Sequence, residues 1–102
     1  MNRLKDLSGD GGGNRVVITV IGPDRVGIIA AVSTVLAENG INILDINQTI
    51  MQEFFVMVLV ADMNNASIDL ITLKDLLDSK GEELKMRIDA QHEDVFNYMH
   101  RI

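Results

Sequence analysis

An α+β sandwich with βαββαβ order and one further C-terminal helix is the fold this sequence predicts, on three observations. Runs at 16–21, 41–50, 54–62 and 84–91 are β-branched or alternate apolar with polar residues, as strands do. Segments 26–39 and 70–80 repeat apolar residues at helical spacing, and a third helical stretch begins at about residue 93. Gly40 and Gly81 follow the first two helical segments, each placed to take the left-handed conformation that ends a helix.

The elements follow in order. Residues 1–14, MNRLKDLSGDGGGN, are polar, glycine-rich and aperiodic, so they predict a flexible tail ahead of a single domain over 15–102. Leu4 and Leu7 are its only aliphatic side chains placed to dock. The strand VVITVI (16–21) leads through GPDRVG into the first helix, whose Ile28, Val32, Val35 and Leu36 share one face. In the second strand Ile41 and Ile43 have one parity and Leu44, Ile46 and Ile50 the other, which predicts a bulge near Leu44. Asp69 is placed to cap the second helix, with Ile68 and Leu73 as a hydrophobic staple and Leu70, Leu73 and Leu77 as its apolar stripe.

Strand patterning then fixes the topology. In 84–91 Leu84, Met86, Ile88 and Ala90 alternate with Lys85, Arg87, Asp89 and Gln91, the pattern of an edge strand with one wet face. The first and third strands are apolar on both faces and belong in the centre. Strand order 4-1-3-2, the ferredoxin-like arrangement, satisfies both demands, and its right-handed crossovers put both helices on one face. The apolar residues on the opposite face then need a cover. A second subunit and the C-terminal segment, where Val95, Phe96, Met99 and Ile102 share a helical face, are both expected to supply it.

Composition narrows the chemistry. The net charge of −6 argues against nucleic acid and anionic membranes as partners, since both need clustered Lys or Arg. The chain has no Cys, which removes thiolate chemistry and Cys-based metal sites and fits a cytoplasmic location. No apolar run approaches the ~18 residues of a membrane span. His92 and His100 show no metal-ligand spacing and read as surface residues, while Met57 and Met86 read as packing, so neither a metal nor a cofactor is expected.

The junction GPDRVG is the candidate site. N–H groups of a first helical turn can receive a carboxylate, Gly27 has no Cβ to obstruct the approach, and Asp24 can pair with an ammonium. Each residue also has a plainer role: Asp24 as a helix cap, Gly27 as a close-packing glycine, Asn42 as a partner for backbone groups at the bulge, Arg25 as a solvated charge.

The run DRVGIIAAVSTVLAENGINI (24–43) resembles the signature of ACT domains, small-molecule regulatory modules of amino-acid metabolism. The signature is an Asp or Asn, Arg, any residue, Gly, a hydrophobic helix, then Gly-x-Asn-Ile opening the second strand. The match extends over 16–102, and DINQT with FFVM is similar to a group of short, stand-alone ACT proteins of unassigned function. The resemblance implies the same βαββαβ fold, assembly through sheets placed side by side or helices packed together, and a free amino acid or similar small metabolite bound between subunits of a homo-oligomer. It points to Asp24, Arg25, Val26, Gly27, Ile28 and Asn42 as ligand-binding residues. Some serine-binding members carry a His two residues before the Asp or Asn position; this chain has Gly22 there, so serine specificity is not implied.

Other functions of the same topology fare less well. An RNA-recognition motif needs stacking aromatics on the first and third strands and a basic face, and the first strand has no aromatic. A heavy-metal chaperone needs a Cys pair. An acylphosphatase-like enzyme needs a loop Arg and a strand Asn, for which Arg25 and Asn42 are the candidates, although Asp24 opposes a phosphate there. A ligand-free module that binds another protein is the remaining alternative.

Overall fold

In the computed structural model, which describes residues 14–23 and 26–99, four strands and three helices follow in the expected order. They are β1 (Arg15–Pro23), α1 (Ile28–Glu38), β2 (Asn42–Met51), β3 (Phe54–Asp62), α2 (Leu70–Leu84), β4 (Arg87–His92) and α3 (Glu93–Met99). The expected tail lies outside the described residues except for Asn14, whose side-chain amide donates to Asn64 Oδ1 at 3.1 Å.

The sheet is antiparallel throughout its pairings and ordered β2-β3-β1-β4, which is the expected ferredoxin-like order. β1 pairs with β3 from Arg15 opposite Asp62 to Pro23 opposite Phe54. The register of β2 against β3 shifts between Ile43 and Asp45, so Leu44 is the bulge that the parity change predicts. On one face Val16, Ile18, Val20, Met57, Leu59, Ala61, Ile88 and Ala90 are buried beneath Ile28, Val32, Val35 and Leu36 of α1 and Leu73 and Leu77 of α2. Both core methionines, Met57 and Met86, are packing residues.

Helix ends show where local signals hold and where packing overrides them. Gly40 has φ 71° and ends the first helical segment as expected. Asp69 caps α2, its carboxylate accepting from the Thr72 N–H at 2.9 Å, and hydrogen bonds from the Thr72 side chain and backbone hold its pKa below the usual value of 3.8. Gly81, by contrast, does not end the helix. It is buried inside α2, where a Cβ would lie 2.6 Å from the Met86 carbonyl oxygen, so glycine serves a close approach and not a turn. The left-handed residue is Lys85, at φ 59°. Leu84 is therefore the last residue of α2, and β4 begins at Arg87, three residues later than its alternation suggests.

The opposite sheet face is closed only in part. Arg15, just 2% exposed, meets Glu93 at the start of α3 through Nη2–Oε1 at 2.6 Å and Nε contacts of 3.1 and 3.2 Å. Val17 and Val60 are buried toward the Arg15 end, whereas Ile21 and Phe54 at the other end are exposed. Phe96 of α3 is half-buried; Val95 is exposed, so the expected docking of that side chain does not occur. His100 and Ile102 lie outside the described residues.

Candidate functional site at the strand-to-helix junction

β1 ends in Gly22 and Pro23, and α1 starts at Ile28, two residues later than periodicity suggests. The delay has a local cause. Gly27 sits at the N-cap with φ 87° and ψ 0°, a left-handed conformation that no helical residue adopts and that favours glycine. Its carbonyl accepts the first intrahelical bond, from the Ala31 N–H at 2.9 Å. The N–H groups of Ile28, Ile29 and Ala30 precede that bond, and among the described residues no side chain caps the helix there.

A Cβ built on Gly27 meets nothing within 4 Å. Among the described residues the close-packing role therefore has no neighbour to serve, and the left-handed backbone is what calls for glycine here. Val26 beside it is fully exposed, while the Ile28 side chain is buried in the core and offers only its backbone. Asp24 and Arg25 lie outside the described residues.

Gly22 has a different reason to be glycine. It stands opposite Phe55, and a Cβ there would overlap the Met86 sulfur. The space in which the serine-binding pattern would put a histidine is filled by a thioether.

Asn42 is exposed at the start of β2, opposite Asp62. Asp62 is also the partner of Arg15, so Asn42 belongs to the end of the sheet where β1 begins. The junction belongs to the end where β1 finishes. Along nine-residue β1 the two ends are about 27 Å apart, at ~3.4 Å per residue. One chain therefore does not bring Asn42 to the junction. The acylphosphatase-like pairing of Arg25 with Asn42 rests on Arg25, which lies outside the described residues.

A hollow of about 420 Å³ opens at the junction end of β2, lined by Gln48, Thr49, Ile50 and Phe55. Ile50 pairs with Phe55, which pairs with Gly22, so this hollow and the junction share one level of the sheet. Sequence reasoning missed it. Its signal was the parity of Ile46 and Ile50 after the bulge, which turns both toward the helix side at the uncovered edge. Among the described residues no group of three or more His, Asp or Glu side chains is arranged to hold a metal ion, and no helix is long and apolar enough to cross a membrane.

A family model for the ACT domain matches residues 14–91. The chain belongs to the ACT domain family. Among its relatives, a UPF0237 protein of Methanocaldococcus jannaschii is 56% identical over 89 residues, covering 87% of this chain and 99% of that protein. Among solved structures, an ACT domain protein from Streptococcus pneumoniae superposes with a TM-score of 0.72 at 36% identity, over 80% of this chain and 92% of that one. The regulatory subunit of aspartate kinase from Thermus thermophilus, in its ligand-free form, shares the fold with a TM-score of 0.60 at 23% identity, over 78% of this chain and 51% of that one. The junction with its left-handed Gly27 and the Asn42 strand start thus lie in an ACT domain that spans nearly the whole length of its curated relative.

Proposed function

We propose that this ACT domain is a non-catalytic regulatory module that binds a free amino acid between two subunits, in the cytoplasm. The observation that carries this reading is the placement of Asn42 at the opposite end of the sheet from the junction. A two-fold axis through the β2 edge reverses the partner strand, so the start of one β2 comes beside the end of the other. Asn42 of the partner subunit then reaches the junction end.

The two sheet edges favour β2 for such pairing. β4 carries exposed Arg87 and Asp89, charges of the kind that guard an edge, whereas β2 exposes Ile46 (40%), Ile50 (57%) and Met51. In this arrangement the ligand carboxylate meets the N–H groups of Ile28, Ile29 and Ala30, where the helix dipole adds about 0.3–1 kcal/mol. Asp24 pairs with the α-ammonium, Arg25 and Val26 border the entrance, and the partner's Asn42 supplies a donor and an acceptor. Binding across two chains favours the dimer by linkage, so ligand concentration sets assembly and, through it, whatever the dimer contacts. The Thermus thermophilus neighbour, a regulatory subunit of aspartate kinase, is consistent with such a role.

A thermal-shift screen against the free amino acids, with sedimentation of each sample, tests the reading. A ligand at 100 times its Kd stabilises the native state by about 2.7 kcal/mol. A stable monomer with no response to any amino acid contradicts it. The exposed Ile21 and Phe54 on the open sheet face would then favour the second reading, a ligand-free module that docks on another protein.

A further inference from the structure

Resting on the amino-acid reading, we propose that the ligand of this site has a neutral, apolar side chain, seated in the hollow formed by Gln48, Thr49, Ile50 and Phe55. Charge is the first argument. None of the four described lining side chains is charged, so an acidic or basic ligand side chain would lose water there without gaining a counter-ion from this lining. Shape is the second. The hollow, at about 420 Å³, falls within the roughly 300–1,000 Å³ of small-molecule sites and leaves room for a branched or aromatic group.

The surroundings point the same way. At the junction level the helix side of the sheet carries Gly22, Phe55 and Ile50 in cross-strand register, with the Met86 thioether packed over Gly22. Met86 and Phe55 are buried, and Ile50 is the exposed end of this apolar row. In this proposal the ligand side chain runs from the first turn of α1 toward β2 at the level shared by Gly22, Phe55 and Ile50, and the amide of Gln48 is the only long polar group in the lining of the hollow. A serine hydroxyl would find Met86 sulfur where the serine-binding pattern has an imidazole.

Calorimetric titration of the full chain with leucine, isoleucine, methionine and phenylalanine, and separately with serine, aspartate and lysine, decides the matter. The expected result is a Kd at least tenfold lower for the best apolar probe than for any of the polar three. Ile50→Ala should weaken that probe at least fivefold, with folding checked by melting temperature and assembly by sedimentation. Tightest binding of serine, aspartate or lysine would overturn this inference while leaving the amino-acid reading in place. An Ile50→Ala variant that is folded, dimeric and binds the apolar probe as tightly as wild type would also overturn it. Absence of binding by every one of these probes would overturn this inference, while the amino-acid reading falls only if the full screen also finds no ligand.

Discussion

Replacing Gly81 with Ala sets helix propensity against packing. In a helix interior Ala is favoured over Gly by about 0.8–1.0 kcal/mol, so a glycine that merely followed the helix would be improved or unaffected by the change. The structure puts Gly81 inside α2 with its missing Cβ aimed at the chain entering β4. The new atom would lie 2.6 Å from the Met86 carbonyl oxygen and 3.4 Å from Ile88 Cγ1. That carbonyl is backbone, and the Met86 N–H is already tied to the Gly81 carbonyl at 2.9 Å, so it cannot swing aside as a side-chain tip would. Overpacking of this kind costs about 1–3 kcal/mol, which exceeds the propensity gain. The two ranges leave an expected net loss of about 1 kcal/mol (roughly 0–2), and a loss of about 1 kcal/mol lowers Tm by roughly 4–8 °C for a domain of this size. Thermal and urea unfolding of wild type and Gly81→Ala measure it. A variant more stable than wild type would show that α2 and β4 do not approach as described.

Two further outcomes rest on individual contacts and a third on the composition of the N-terminal segment. Because hydrogen bonds from Thr72 depress the Asp69 pKa, its contribution is fully present above the unfolded value of 3.8 and is lost as pH falls through the lower folded value. The Tm gap between wild type and Asp69→Ala should therefore narrow as pH falls below 3.8; a gap independent of pH would contradict the charged cap. Glu93→Ala should destabilise the domain by about 2–3 kcal/mol in denaturant titrations, since it removes charged hydrogen bonds from Arg15 at 2.6 to 3.2 Å, and an unchanged midpoint would detach α3 from the account. Deleting residues 1–13 should leave Tm and assembly unchanged, whereas a large drop in Tm would show that Leu4 or Leu7 docks.

The strands and the cap were legible because their signals are local. The two-faced apolar runs of β1 and β3 required central positions, the wet face of β4 an edge, the parity change at Leu44 a bulge, and Asp69 followed by helical spacing a cap. Gly81 misled for the opposite reason, since a glycine that ends a helix and one that admits a neighbouring carbonyl look alike until the neighbour, here Met86, is placed. The Arg15–Glu93 pair joins residues 78 apart in sequence, and nothing near Arg15 announces its partner. At the candidate site Gly27 was legible as a junction glycine, and the resemblance to ACT domains pointed to Asn42 as a second residue of a site between subunits. The antiparallel pairing of β3 with both β1 and β2 puts them at opposite ends of the sheet. The parity of Ile46 and Ile50 turns them to the helix side, but the hollow at Ile50 also depends on which strand edge α1 leaves uncovered, which that parity does not state.

The central claim is that one binding site takes its junction from one subunit and its asparagine from another, and subunit mixing tests it most directly. Asp24→Asn and Asn42→Ala each damage the site, so each homodimer should bind the amino acid found by the screen far more weakly than wild type. In a mixed dimer one site combines both lesions, while the other joins an intact junction to an intact Asn42. After random exchange of equal amounts, calorimetry should recover wild-type affinity at about one site per four chains, since roughly half the dimers are mixed. No recovery on mixing, with exchange confirmed by mass-labelled subunits, would mean that the site lies within one chain and would contradict the account.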